Sequence, residues 1–100
     1  MHGFKSDMDG AKACFLHQFC LEKSLPFLRF DCRGHGNSQG NFLDCGITDW
    51  SDDVAFMLEM LMPQISNGKY IIIGSSMGGW LMLLAGLQKN IKHNVQCLIG

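Results

Sequence analysis

Tyr70-Ile71-Ile72-Ile73-Gly74-Ser75-Ser76-Met77-Gly78-Gly79-Trp80-Leu81 changes character twice along its length. Tyr70 to Ile73 is an unbroken apolar run, the pattern of a central parallel strand covered on both faces. From Gly78 to about Gln88 the sequence reads as a helix. Between them, Gly74-Ser75-Ser76-Met77-Gly78 fits G-x-S-x-G in a strand–turn–helix setting. Such a turn forces Ser76 into a strained backbone conformation and stands its hydroxyl above the carboxyl edge of the sheet. Side chains at Gly74 or Gly78 would collide with the strand or helix. The same bend aims the Met77 N–H at the point where a carbonyl oxygen turns negative during acyl transfer. Ser76 is therefore the candidate nucleophile, and Gly79 is expected to ease close packing of the helix that follows.

Outward from this turn, helical and strand-like segments alternate, as in a parallel sheet with crossover helices. Ala13, Leu16, Phe19 and Cys20 recur at helical spacing within a helix from Ala11 to about Lys23, with Asp9 as its expected cap. Pro26 to Phe30 reads as a short strand. Cys32 to Gly46 is a loop rich in Gly, Asn and Ser. Thr48 is the expected cap of a second helix whose inward stripe is Trp50, Val54, Met57, Leu58 and Leu61, stopped near Pro63. Asp49, Asp52 and Asp53 suit the positive end of its dipole. Asn67-Gly68 signals a turn, and Val95 to Ile99 begins another strand. The expected order is αβαβαβ: an α/β class, with parallel strands and helices on both faces.

Composition agrees with a globular domain. Hydrophobic residues make up 47% of the 100 residues and charged residues 17%, which excludes a disordered chain. A net charge of -1 without basic runs gives no case for nucleic acid or an anionic membrane surface. No apolar stretch approaches the roughly 18 residues of a membrane span, and the start lacks signal- or transit-peptide layout. Cys14, Cys20, Cys32, Cys45 and Cys97 are odd in number and irregularly spaced, which suggests free thiols in a reducing compartment, the cytosol by default.

Two cofactor readings fail on spacing. Cys14, His17 and Cys20 meet on one helical face, but no second ligand pair has zinc-ribbon spacing. Gly34-His35-Gly36-Asn37-Ser38-Gln39-Gly40 departs from the dinucleotide fingerprint and opens onto a loop. No metal or organic cofactor is implied.

Two further motifs precede the serine turn: His2-Gly3-Phe4 and Arg29-Phe30-Asp31-Cys32-Arg33-Gly34-His35-Gly36-Asn37-Ser38. Taken alone, the tripeptide means little, and His2 is open to reading as an ordinary solvated residue. Together with Ser6, Met8, Asp9-Gly10-Ala11-Lys12-Ala13 and Gly74-Ser75-Ser76-Met77-Gly78-Gly79-Trp80-Leu81-Met82-Leu83, however, these motifs resemble the α/β-hydrolases of the mitochondrial palmitoyl-protein thioesterase and acyl-glucuronide esterase type. The resemblance spans nearly the whole chain, and the Gly-Gly-Trp-Leu-Met continuation discriminates better than the pentapeptide. It implies a serine esterase or thioesterase that forms a covalent acyl-enzyme on Ser76. Phe4 and Met77 would supply the backbone N–H groups of the oxyanion hole. Substrates would be small acyl esters or acylated proteins, and a mitochondrial location, open to a eukaryotic protein, would rest on the resemblance alone. The Asp31 to Ser38 segment would be structural: Gly34 and Gly36 for tight turns, and Asp31, Arg33 and Ser38 for hydrogen bonds. His35 would be a loop histidine.

In this fold the triad acid and histidine follow the serine along the chain. His93 is the one histidine after Ser76 and is expected in a surface turn at the opposite edge of the sheet, with no carboxylate beside it. The strand that should precede His2 is also missing, so the sheet is expected to be incomplete. The chain thus reads as the N-terminal and central part of a single hydrolase domain, truncated at both ends and neither stable nor active alone. The alternative is a catalytically incompetent hydrolase-fold fragment or a binding module.

Overall fold

The computed structural model describes residues 1–64 and 68–100. Asn67, half of the expected turn signal, lies outside the described residues. The elements are α1 (Ala11–Glu22), α2 (Ile47–Leu61), β1 (Tyr70–Ile73), α3 (Met77–Leu87) and β2 (Val95–Ile99). Short 3-10 turns occupy Phe42–Asp44 and Met62–Gln64, the second placing Pro63 just past the end of α2.

β1 and β2 pair in parallel, Tyr70 beside Val95 and Ile73 beside Ile99, with a register shift after Tyr70. Parallel neighbours need a crossover, which α3 supplies while packing on both strands. Gly78, Leu81, Met82 and Ala85 are its buried residues, spaced to share one face. α2 turns Trp50 and Val54 inward and packs on α3. These side chains join Ile72 and Cys32 in one apolar core. Alternation along β1 leaves Ile71 on the other face, 53% exposed.

The expected strand at Pro26–Phe30 is not present. A strand exists through its ladder, and among the described residues no backbone hydrogen bond reaches residues 26–30. The segment is tied by side chains instead. Phe27 stacks on His17 of α1, and Arg29 donates to the Met8 carbonyl at 2.7 Å and pairs with Asp9 at 2.9 Å. The observed order is therefore helix, helix, strand, helix, strand.

Both helix starts differ from expectation. α1 is entered through Gly10 without a side-chain cap, because the Asp9 carboxylate is committed to Arg29. α2 begins before Thr48: the Gly46 carbonyl accepts from the Trp50 N–H, and the Gly46 N–H donates to Asp49 at 2.8 Å. That reciprocal bond is the side-chain half of a capping box. Asp49 and Asp53 do more than meet a helix dipole. They also hold Arg33, Asp53 at 2.6 Å and Asp49 at 3.5 Å.

Candidate active site

After Ile73 the Gly74 N–H makes a last sheet bond to the Ile99 carbonyl, and the chain then bends into α3. The Gly78 N–H turns back to the Ser75 carbonyl at 2.9 Å. Ser76, at the bend, has φ 56° and ψ -121°. Left-handed backbone of this kind costs a non-glycine residue about 1–3 kcal/mol. The residue is exposed, and although it occupies the N-cap of α3, its hydroxyl makes no capping bond. Among the described residues the Ser76 hydroxyl has no hydrogen-bond partner at all. The strain thus presents an uncommitted hydroxyl at the positive end of a helix.

The flanking glycines explain why the bend is possible. A Cβ on Gly74 would overlap the Gly78 carbonyl of α3, as the crowding argument expects. A Cβ on Gly78 would overlap the carbonyls of Met1 and His2. The crowding at Gly78 therefore comes from the N-terminal loop, not from the strand. Gly79 departs from expectation: a Cβ there would stand 3.7 Å from the Gly74 carbonyl oxygen, an ordinary contact, so no close approach requires glycine.

The N-terminal loop is docked on the free edge of β1. The Met1 amino group donates to the Ile73 carbonyl at 2.6 Å, and the Ser75 N–H donates to the Met1 carbonyl at 3.2 Å. Bonds out to residue 73 and back from residue 75 are the pattern of a parallel bridge opposite Gly74. Gly3 then passes against the serine: a Cβ on it would lie 3.3 Å from Ser76 Cβ and 3.8 Å from Ser76 Oγ. The next N–H is that of Phe4. The first-turn N–H of Met77 has no partner inside α3, and neither it nor the Phe4 N–H meets an acceptor among the described residues.

His2 is not solvated. It is 9% exposed, and its Nε2 accepts from the Cys32 N–H at 3.1 Å. That bond leaves the proton on Nδ1, which donates to the Gly3 carbonyl at 2.9 Å. His35 is also buried. Its Nε2 accepts from the Lys5 N–H at 3.3 Å, and its ring packs against His2, Phe42 and Trp50. The two imidazoles brace the loop on either side of Phe4. Below them the Cys32 thiol is pushed up to about 12, first by burial and then by Asp53, so it stays a protonated core group.

The Asp31 to Ser38 segment is structural, as its composition suggests. The Asp31 carboxylate accepts from the N–H groups of Met8 at 2.7 Å and Asn37 at 3.0 Å, while Ser38 Oγ donates to the Asp31 carbonyl at 2.6 Å. Gly36, at φ 49°, leaves the room this carboxylate fills. His93 lies in an exposed turn before β2, at the end of the sheet opposite Ser76. Two participants escaped the sequence. Met1 acts through its backbone, which composition cannot reveal. Lys12 reaches from α1 to donate to Ser75 Oγ at 3.1 Å, a contact across 63 positions of sequence.

Comparisons with known proteins show the family and the fold. The family model described as serine aminopeptidase, S33 (Hydrolase_4) matches residues 1–100. A rat protein named palmitoyl-protein thioesterase ABHD10, mitochondrial, is 41% identical over 98 residues, covering 98% of this chain and 31% of its own length. The structure of mouse alpha/beta hydrolase domain-containing protein 10 superposes with a TM-score of 0.84 at 37% identity, over 100% of this chain and 38% of the other. A putative hydrolase from Agrobacterium vitis S4 gives 0.81 at 35% identity, over 96% of this chain and 36% of the other. The chain thus spans about a third of the length of these proteins.

Proposed function

The chain belongs to the serine aminopeptidase S33 family of α/β-hydrolases, and from that premise we propose that it carries the nucleophile and oxyanion hole of a serine esterase or thioesterase. The observation that carries this reading is the bend at Ser76, which holds an exposed, uncommitted hydroxyl at positive φ beside Gly3. In the reaction Ser76 Oγ attacks the acyl carbonyl carbon while a general base takes its proton. The carbonyl oxygen becomes negative and is met by the N–H groups of Phe4 and Met77. Collapse breaks the bond to the alcohol or thiol, which leaves with the proton, and the acyl group remains on Ser76. Water then attacks the acyl-enzyme, releasing the acid and restoring the serine. The chemistry invokes no metal or organic cofactor.

The general base and its acid belong, on this proposal, to the two thirds of the relatives' length that this chain does not span. The residues at hand prepare the site: the strain at Ser76, the bridge at Met1 and the two buried histidines fix nucleophile and N–H donors before substrate arrives. Thioesters enter through the name of the rat relative, and a small acyl ester or an acylated protein would each fit an exposed serine. The free cysteines suit a reducing compartment, the cytosol or, following the relatives' names, the mitochondrion.

The rival reading, an incompetent hydrolase-fold module, draws on one observation. Among the described residues no imidazole or carboxylate is hydrogen-bonded to Ser76. Hydrolysis of a short acyl thioester by the full-length protein separates the two. Turnover lost in Ser76→Ala supports the enzyme; turnover absent in the wild type, or unchanged in Ser76→Ala, supports the rival.

A further inference from the structure

Lys12 is exposed, yet its ammonium turns back across the mouth of the bend to Ser75, the residue next to the nucleophile. The two carboxylates that precede Lys12 in the sequence are already engaged: Asp9 pairs with Arg29, and Asp7 accepts from the Asp9 N–H at 2.9 Å. Among the described residues no carboxylate lies within salt-bridge reach of Lys12. The start of α1 that carries it is pinned on two sides, by Arg29 on the Met8 carbonyl and by Asp31 on the Met8 N–H. Lys12, which has no ionic partner among the described residues, is therefore held on a fixed base beside the serine.

Resting on the reading of Ser76 as nucleophile, we propose that Lys12 selects substrates bearing an anionic oxygen group, carboxylate or phosphate, close to the scissile acyl bond. The Ser75 hydroxyl is a placeholder: a neutral acceptor that orients the ammonium until a charged one displaces it. The ammonium's bond to Ser75 joins a cation to a neutral oxygen, whereas an oxyanion adds the attraction between opposite charges that a hydroxyl lacks. A lysine offers a point charge with rotatable donors, so it accepts either anion without demanding the two-pronged geometry of an arginine site. The neighbouring N–H pair of Phe4 and Met77 is reserved for the oxygen of the acyl carbonyl, so the substrate's own charge needs a separate partner.

The test uses the full-length protein and three thioesters of one acyl chain, with thiol leaving groups ending in a carboxamide, a carboxylate or a phosphate. The measured quantity is kcat/KM of each anionic thioester relative to the carboxamide. We expect a ratio of about ten in the wild type, the low end of what a hydrogen bond to a charged group is worth, falling toward unity in Lys12→Met and Lys12→Gln. Lys12→Arg should retain it, and added salt should weaken it. The two anionic arms show which group fits. A ratio that does not change in Lys12→Met overturns the proposal, as does a parallel fall for all three substrates. Should carboxamide turnover persist in Ser76→Ala, the nucleophile reading itself fails, a result distinct from both.

Discussion

Replacing Gly78 with alanine asks whether the N-terminal loop and the serine bend are one device. A Cβ at this position would stand 2.6 Å from the His2 carbonyl oxygen and 2.7 Å from the Met1 carbonyl carbon. Carbon and carbonyl oxygen settle at roughly 3.3–3.6 Å, so the loop must retreat by about 1 Å. It cannot retreat freely, because Met1 is bonded to both Ile73 and Ser75, and His2 is bonded to Cys32. The retreat therefore carries the Phe4 N–H away from the oxygen it is proposed to serve. Losing one oxyanion donor costs about 10²–10³ in kcat, and a misplacement of about 1 Å is worth about 10². We expect kcat for an acyl thioester to fall about 100-fold in full-length Gly78→Ala, with KM little changed, because the loss falls on the transition state. Gly79→Ala is the matched control: its Cβ meets only ordinary contacts, and alanine in a helix gains about 0.5–1 kcal/mol over glycine. It should keep its activity and melt slightly higher. Wild-type kcat in Gly78→Ala would refute the idea that the loop is locked against the bend.

Four further outcomes follow from the structure. His2→Ala leaves the Cys32 N–H without its acceptor in the core, so denaturant unfolding should report a loss of about 1–3 kcal/mol. Gly36→Ala should lower the melting temperature too, since its Cβ would fall on the Asp31 carboxylate at a positive φ. At Cys32 the folded pKa is raised from 9.0 to about 12. The thiol's share of stability is therefore complete below pH 9 and is lost as pH rises toward 12. Cys32→Ala should flatten that alkaline limb of a melting-temperature profile. At pH 8 a disulfide reagent should label the exposed Cys14 and Cys97 of the native protein and spare Cys32.

What the sequence disclosed and what it hid divide along a physical line. The strand at Tyr70–Ile73, the crowding at Gly74 and Gly78 and the inward turn of Trp50 and Val54 were legible because local sterics and periodicity decide them, whereas the expected cover on both faces of the strand fails at Ile71, which is exposed. The juxtaposition of Gly3 and Ser76 was legible through family resemblance, since nothing local joins residues so far apart. Pro26–Phe30 misled because its composition suits a strand while a ladder depends on a neighbour elsewhere. The caps failed for a similar reason. Asp9 suits a helix start, but Arg29, distant in sequence, claims its carboxylate. Thr48 yielded to Gly46 because Asp49 could reach back to the Gly46 N–H. His2 and His35 gave no sign of burial, for their partners are backbone groups contributed by other segments.

The central claim is that one strained bend presents Ser76 as a nucleophile between two waiting N–H groups. The most direct measurement is a crystal structure of the full-length protein after reaction with a fluorophosphonate. The account predicts phosphorus bonded to Ser76 Oγ and the phosphoryl oxygen about 2.7–3.1 Å from both the Phe4 and Met77 nitrogens. An adduct on another residue, or a phosphoryl oxygen facing away from these two nitrogens, would contradict it.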